Sequence, residues 1–89
     1  MPKKYPPLTP SEVVDILRAN GFRKDRRGNH DVYVGEIRGL MRSVPVKMNV
    51  TAFDNFLIQS MIRQSGLTRE EFYGSTRQTG LKIGLKPSK

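Results

Sequence analysis

Cysteine and tryptophan are both absent from this chain. Without cysteine there can be no disulfide framework, zinc–thiolate site or thiol nucleophile. Histidine occurs once, at His30, which excludes metal sites built on paired imidazoles and acid–base schemes that need two of them. No apolar run approaches the roughly 20 residues that span a bilayer. The opening Met1-Pro2-Lys3-Lys4-Tyr5-Pro6-Pro7 also lacks the apolar stretch of a signal peptide. The expectation is a cytoplasmic, soluble protein with no metal, no cofactor and no membrane partner. Hydrophobic residues make up 36% of the 89, which suits one modest core and one small domain.

Basic residues, by contrast, are plentiful. Sixteen Lys and Arg stand against eight Asp and Glu, a net charge of +8. On so short a chain this balance favours a polyanionic partner: nucleic acid first, an acidic protein or a membrane surface second. The surplus is unevenly spread. From Arg18 to Lys47 there are eight bases and three acids, and from Ser75 to Lys89 there is no acid at all.

Local signals divide the chain into a lead-in (1–7), a folded domain (8–74) and a basic tail (75–89). Three prolines keep the lead-in extended. Thr9 as N-cap, Pro10 at the first helical position and Glu12 three residues after the cap predict a helix over Pro10–Asn20 that ends at Gly21. Leu8 and Val13 are spaced to staple its start. Phe22–Arg27 is a predicted strand, Gly28-Asn29 a hairpin turn and His30–Val34 a second strand. Gly35–Gly39 reads as the next turn. Leu40–Val46 reads as a third strand, with Pro45 marking an edge.

Thr51 is the expected start of a second helix, with Asp54 as a short capping partner. Its apolar stripe is Phe53, Phe56, Leu57, Ile58, Met61 and Ile62, and Gly66 closes it. Met48, Met61 and the phenylalanines are expected in the core. Thr68 to Glu71 is another capping box, opening a helical turn that ends near Gly74. The tail is expected to be mobile in isolation, with Leu81-Lys82-Ile83 able to pair as an edge strand with a partner. The fold class is therefore α+β, ordered α-β-β-β-α, with a three-stranded antiparallel sheet and two helices on one face.

The stretch richest in chemical groups is Arg26-Arg27-Gly28-Asn29-His30. It sets the only imidazole just beyond a tight turn, with two guanidinium groups immediately before that turn. Arg23, Lys24, Arg38, Arg42 and Lys47 are expected in the same neighbourhood. Such groups hold phosphates, and an imidazole exchanges protons near neutral pH. RNA carries its own nucleophile in the 2′-OH, so its cleavage needs only a base, an acid and charge stabilisation. The residues alone favour a spacer or structural role for His30 over a catalytic one. Strand parity leaves its side of the sheet open too: if Val32 faces the core, His30 lies toward the helices. Tyr33 reads as a packing residue ahead of a base-stacking one. Asp31 points to the opposite strand face from His30 and is not its orienting partner.

Several landmarks recur together. They are Leu8-Thr9-Pro10-Ser11-Glu12-Val13-Val14, then Ile16-Leu17, Asn20-Gly21-Phe22, Gly28-Asn29-His30, and the run from Ser60-Met61-Ile62-Arg63-Gln64-Ser65 through Gly66-Leu67-Thr68-Arg69-Glu70-Glu71-Phe72. In this order they resemble the HicA family, the toxin partners of HicA–HicB toxin–antitoxin pairs, over Leu8 to Phe72. The resemblance implies a double-stranded-RNA-binding-like fold and a metal-independent endoribonuclease that cuts mRNA and arrests translation. It implies His30 as the catalytic residue and a HicB-like antitoxin that occludes the site. Lys24, Arg26, Arg27, Gly28 and Asn29 are then the expected RNA-binding residues. The chain departs from the family pattern in two places. Asn29 stands where a serine is usual, and Pro45-Val46-Lys47 lacks the second histidine that many members carry there. The rival expectations are a non-catalytic RNA-binding module and a basic protein-interaction domain.

Overall fold

Thr9 opens the first helix as its spacing predicts. The computed structural model describes residues 5–27 and 30–84, and of Arg26, Arg27 and His30 it describes the backbone alone. Helix α1 spans Pro10–Ala19. Thr9 Oγ1 accepts a hydrogen bond from the Glu12 N–H at 3.2 Å, and the Thr9 N–H donates to Glu12 Oε1 at 2.9 Å. Asn20 is the C-cap, followed by Gly21 at φ +85°. Leu8 and Val13 are both fully buried, as the staple requires.

Three strands follow: β1 (Arg23–Arg27), β2 (His30–Ile37) and β3 (Leu40–Val46). They form one antiparallel sheet in the order β1-β2-β3, so β3 is an edge and its Pro45 needs no outward partner. The register pairs Tyr33 with Val44 and Asp31 with Val46. Tyr33, Val44 and Val46 are buried, whereas the intervening Ser43 and Pro45 are exposed. From the other side the core receives Val13, Ile16 and Leu17 of α1, with Ile58, Met61 and Ile62 of α2 (Asn55–Ser65). Both helices therefore cover one face of the sheet, as expected.

The second turn is shorter than its glycines suggest. Only Arg38 and Gly39 lie outside the strands, at φ +51° and +82°. A left-handed backbone is uncommon for arginine. Here the side chain is held from both sides, with Nη1 donating to the Gly66 carbonyl at 2.9 Å and Nη2 to Glu71 Oε2 at 2.5 Å. Gly35, expected in that turn, is instead a buried strand residue. A Cβ there would lie 2.9 Å from Phe22 Cγ and 3.0 Å from Phe22 Cα, so the glycine admits the Phe22 ring to the core.

Helix α2 starts later than Thr51. Asp54 is its N-cap and accepts from the Leu57 N–H at 2.9 Å. Phe53 lies before the helix, where its N–H donates to the Leu8 carbonyl at 2.8 Å in an isolated β-bridge. A helix in this phase turns Ile58, Met61, Ile62 and Ser65 inward. Phe56 and Leu57 consequently face outward, 78% and 50% exposed, and Met48 is 47% exposed. These three do not belong to the core, contrary to expectation.

Gly66 ends α2 in the left-handed conformation at φ +78°. Helix α3 (Arg69–Tyr73) has the predicted box: Thr68 Oγ1 accepts from the Glu71 N–H at 3.1 Å, and the Thr68 N–H donates to Glu71 Oε1 at 2.9 Å. The chain beyond Gly74 does not leave the fold at once. Thr76 caps a further helix, α4 (Arg77–Leu81). Thr79 is buried, with its hydroxyl donating to the Tyr73 carbonyl at 2.6 Å, and Ile83 packs on the core. Lys82 Nζ reaches the Pro7 carbonyl at 3.0 Å and Glu12 Oε1 at 3.1 Å. Burial pushes the Glu12 carboxyl up, but the Thr9 N–H and the Lys82 ammonium outweigh it and hold the group below its usual value. In the chain by itself, Leu81 ends α4 and Lys82 caps it. Among the described residues, no helix is long and apolar enough to cross a membrane.

Two measurements check this packing. Gly35→Ala forces a methyl group into the Phe22 contact and is expected to lower unfolding free energy by about 2 kcal/mol in urea denaturation. Burial also pushes the Tyr73 phenol up to about 12, while its hydroxyl donates to the Pro6 carbonyl at 2.7 Å. This phenol ionises later in the folded chain than in the unfolded one, where its ordinary value is near 10. Its stabilising contribution is thus complete below about pH 10 and fades as pH climbs toward 12. A phenolate absorbance titration should find Tyr73 ionising above pH 10, toward 12, with unfolding beginning in that window.

Candidate nucleic-acid interface

The β1–β2 ladder runs Arg23–Val34, Lys24–Tyr33, Asp25–Val32, Arg26–Asp31 and finally Arg27–His30. Its last rung therefore puts the backbones of the only histidine and one expected phosphate-binding arginine side by side. The register leaves two residues between the strands, a length suited to the expected tight turn. Gly28 and Asn29 themselves lie outside the described residues, as do the side chains of Arg26, Arg27 and His30.

Parity now decides a point that the sequence left conditional. Successive strand residues alternate between faces. Tyr33 is 3% exposed and faces the helices, so packing is its role. Val32 and Val34 are only half-buried and lie on the other face. The position of His30 in the ladder has the parity of Val32, the face away from the helices. The alternative with Val32 facing the core is thereby corrected.

Of the accompanying bases, Lys24 is on the helix-side parity, and its Nζ is 3.4 Å from Asp31 Oδ2. Arg23 is exposed and sits across from Val34 on the open face. Lys47 is exposed and follows Val46, the partner of Asp31, so it lies at the same end of the sheet as His30. Arg38 and Arg42 are not in this neighbourhood. Arg38 is tied at the opposite end of β2 to Gly66 and Glu71, and the Glu71 carboxylate raises its pKa. Arg42 lies on the helix side, where its Nε would be 2.7 Å from a Cβ at Gly66; that buried nitrogen has no hydrogen-bond partner.

Two concavities lie among the described residues. One, of about 490 Å³, lies on the open sheet face and is lined by Val32, Val34, Met41, Arg42, Ser43 and Pro45. The other, of about 610 Å³, runs between the β3 edge and α2, with Val46, Phe53, Leu57 and Met61 among its lining residues. Sequence reading missed both. The first depends on pairing two distant alternations in register, and the second on Leu57 being outside the core. Among the described residues, no group of three or more His, Asp or Glu is arranged to hold a metal ion.

No family model matches the chain, and no curated protein matches it either.

The Lys24–Asp31 pair is partly exposed, with side chains at 40% and 24% accessibility. Solvent screening limits such a pair, so Lys24→Ala should lower the unfolding free energy by no more than about 1 kcal/mol. Denaturant titration at low and high salt checks this, and the difference from the parent should shrink as salt rises.

Proposed function

We propose that this chain is the toxin of a type II toxin–antitoxin pair: a metal-independent endoribonuclease of the HicA kind, with a double-stranded-RNA-binding-like fold. It cuts mRNA, arrests translation and is held inactive by a HicB-like antitoxin that occludes the site. The observation that carries the reading is the terminal Arg27–His30 rung of the β1–β2 ladder, at the end of a sheet whose opposite face is occupied by the helices. The net charge of +8 supports a polyanionic substrate.

In this mechanism the 2′-OH of the RNA attacks the adjacent phosphorus and the bond to the 5′-oxygen breaks. The products are a 2′,3′-cyclic phosphate and a 5′-hydroxyl. His30 acts as general base toward the 2′-OH or as general acid toward the leaving oxygen. Arg26 and Arg27, with Lys24 at the margin, bind the phosphate and stabilise the charge that builds on it. Gly28 permits the turn that presents the imidazole, and Asn29 orients the substrate or the ring. Lys47 supplies positive charge at the same end.

The test is incubation with end-labelled mRNA in EDTA beside His30→Ala, after circular dichroism has established that the variant folds. Wild-type protein should produce fragments ending in cyclic or 3′-phosphate. The variant should lose a factor of about 100 or more in rate. Equal cleavage by both would sink the role of His30, and 3′-hydroxyl ends would sink the 2′-OH attack. RNA that is retained but uncut would indicate a binding module instead.

A further inference from the structure

The open face of the sheet is graded in chemistry along β2. At one end stand the rung positions Arg27 and His30, with Lys47 beside them. The middle is apolar, where Val32 pairs with Pro45 and Val34 with Ser43. Glu36, paired with Met41, occupies the far end. Val32 lies about 7 Å along the strand from His30, two residues at a strand's ordinary rise. The hollow of about 490 Å³ is centred on this apolar stretch.

We propose that this hollow is a nucleobase subsite, taking a base of a single-stranded nucleic acid whose neighbouring phosphate lies at the His30 end. The inference deepens the ribonuclease reading and rests on it. A nucleotide joins an anionic phosphate to a flat, largely apolar ring, which is the order of groups along β2. The volume falls in the range of small-ligand sites, about 300–1,000 Å³. Charge at the margins favours a polyanion over an apolar protein face. Arg23, opposite Val34, and Lys47 have no ion-pair partner among the described residues, whereas Asp25, opposite Val32, is already engaged. Arg42 contributes no charge here, because its guanidinium lies by Gly66 on the helix side. The hollow contains no aromatic ring, so a base is held by aliphatic contact and the Ser43 hydroxyl, with little discrimination among bases. Pairing of this face with a second copy of the chain, or with a protein partner, is the competing occupancy.

The experiment uses the full chain and a 2′-deoxy trinucleotide, which binds but lacks the nucleophile for cleavage. Its fully abasic counterpart is the control. Methyl resonances of Val32, Val34 and Met41 should shift with the trinucleotide and stay in place with the abasic backbone. Ser43→Glu, at an exposed position that cannot compromise the core, should weaken trinucleotide binding about tenfold, the scale of one base contact. Gln78→Glu brings the same charge change to exposed α4 and should weaken it less than twofold. Equal weakening by both variants, or identical shifts with and without bases, would overturn the subsite. So would methyl shifts that follow protein concentration without nucleotide, which would assign the face to self-association. His30-dependent RNA cleavage beside unmoved methyls removes the subsite and leaves the ribonuclease standing. Base-dependent shifts in a protein that cuts no RNA do the reverse.

Discussion

Tyr33, Val44 and Val46 are buried apolar side chains that the paired strands β2 and β3 bring together on the helix side, and their register organises the rest of the molecule. A strand's side chains alternate strictly, so a slip of one residue would exchange the two faces. Burying these three commits Val32, Val34, Ser43 and Pro45 to the opposite face. The position of His30, two residues before Val32, then falls on that face as well. The face that carries the candidate interface is thus a by-product of core packing, set by which strand residues both helices can cover.

A small chain with few aromatic side chains cannot cover two sheet faces. Its apolar residues converge on one layer, and several connections tighten that layer from the ends. Leu8 is fully buried and accepts the Phe53 N–H, which joins the entry of α1 to the entry of α2. The Tyr73 hydroxyl reaches back to Pro6, and Lys82 to Pro7 and Glu12. These contacts bind the sequence extremes of the described chain together on the helix side. At the sheet end where the backbones of Arg27 and His30 pair, Lys47 is exposed. The proposed enzyme needs that division: a rigid packed side to hold the strands, and an open basic side where a polyanion can approach.

Much of the architecture was legible because its signals are local. The Thr9 and Thr68 capping boxes, the Gly66 terminus and the bounds of β3 each depend on residues within a few positions of one another. Failures came where a distant partner decided the outcome. Gly35 resembles a turn glycine until Phe22 is packed against it. Phe56 and Leu57 look like core residues until the Asp54 cap sets the phase of α2 and turns them outward. Residues 76–84 look like an untethered tail because their anchors, Tyr73, Pro7 and Glu12, lie outside that segment.

The candidate interface divides in the same way. Its candidate members, Lys24, Arg26, Arg27, Gly28, Asn29 and His30, were nominated from the sequence, because charge density, a turn signal and a lone imidazole can be read without coordinates. The sequence also determined the order of the elements and the basic character of the chain, since caps, turns and charge are properties of neighbouring residues. Only the tertiary structure decided which side of the sheet is open, that Arg38 and Arg42 point their charge elsewhere, and that Val32, Val34, Ser43 and Pro45 form a hollow. Those outcomes depend on register and on burial against helices far away in sequence, and alternation within a single strand cannot say which of its two faces will be covered.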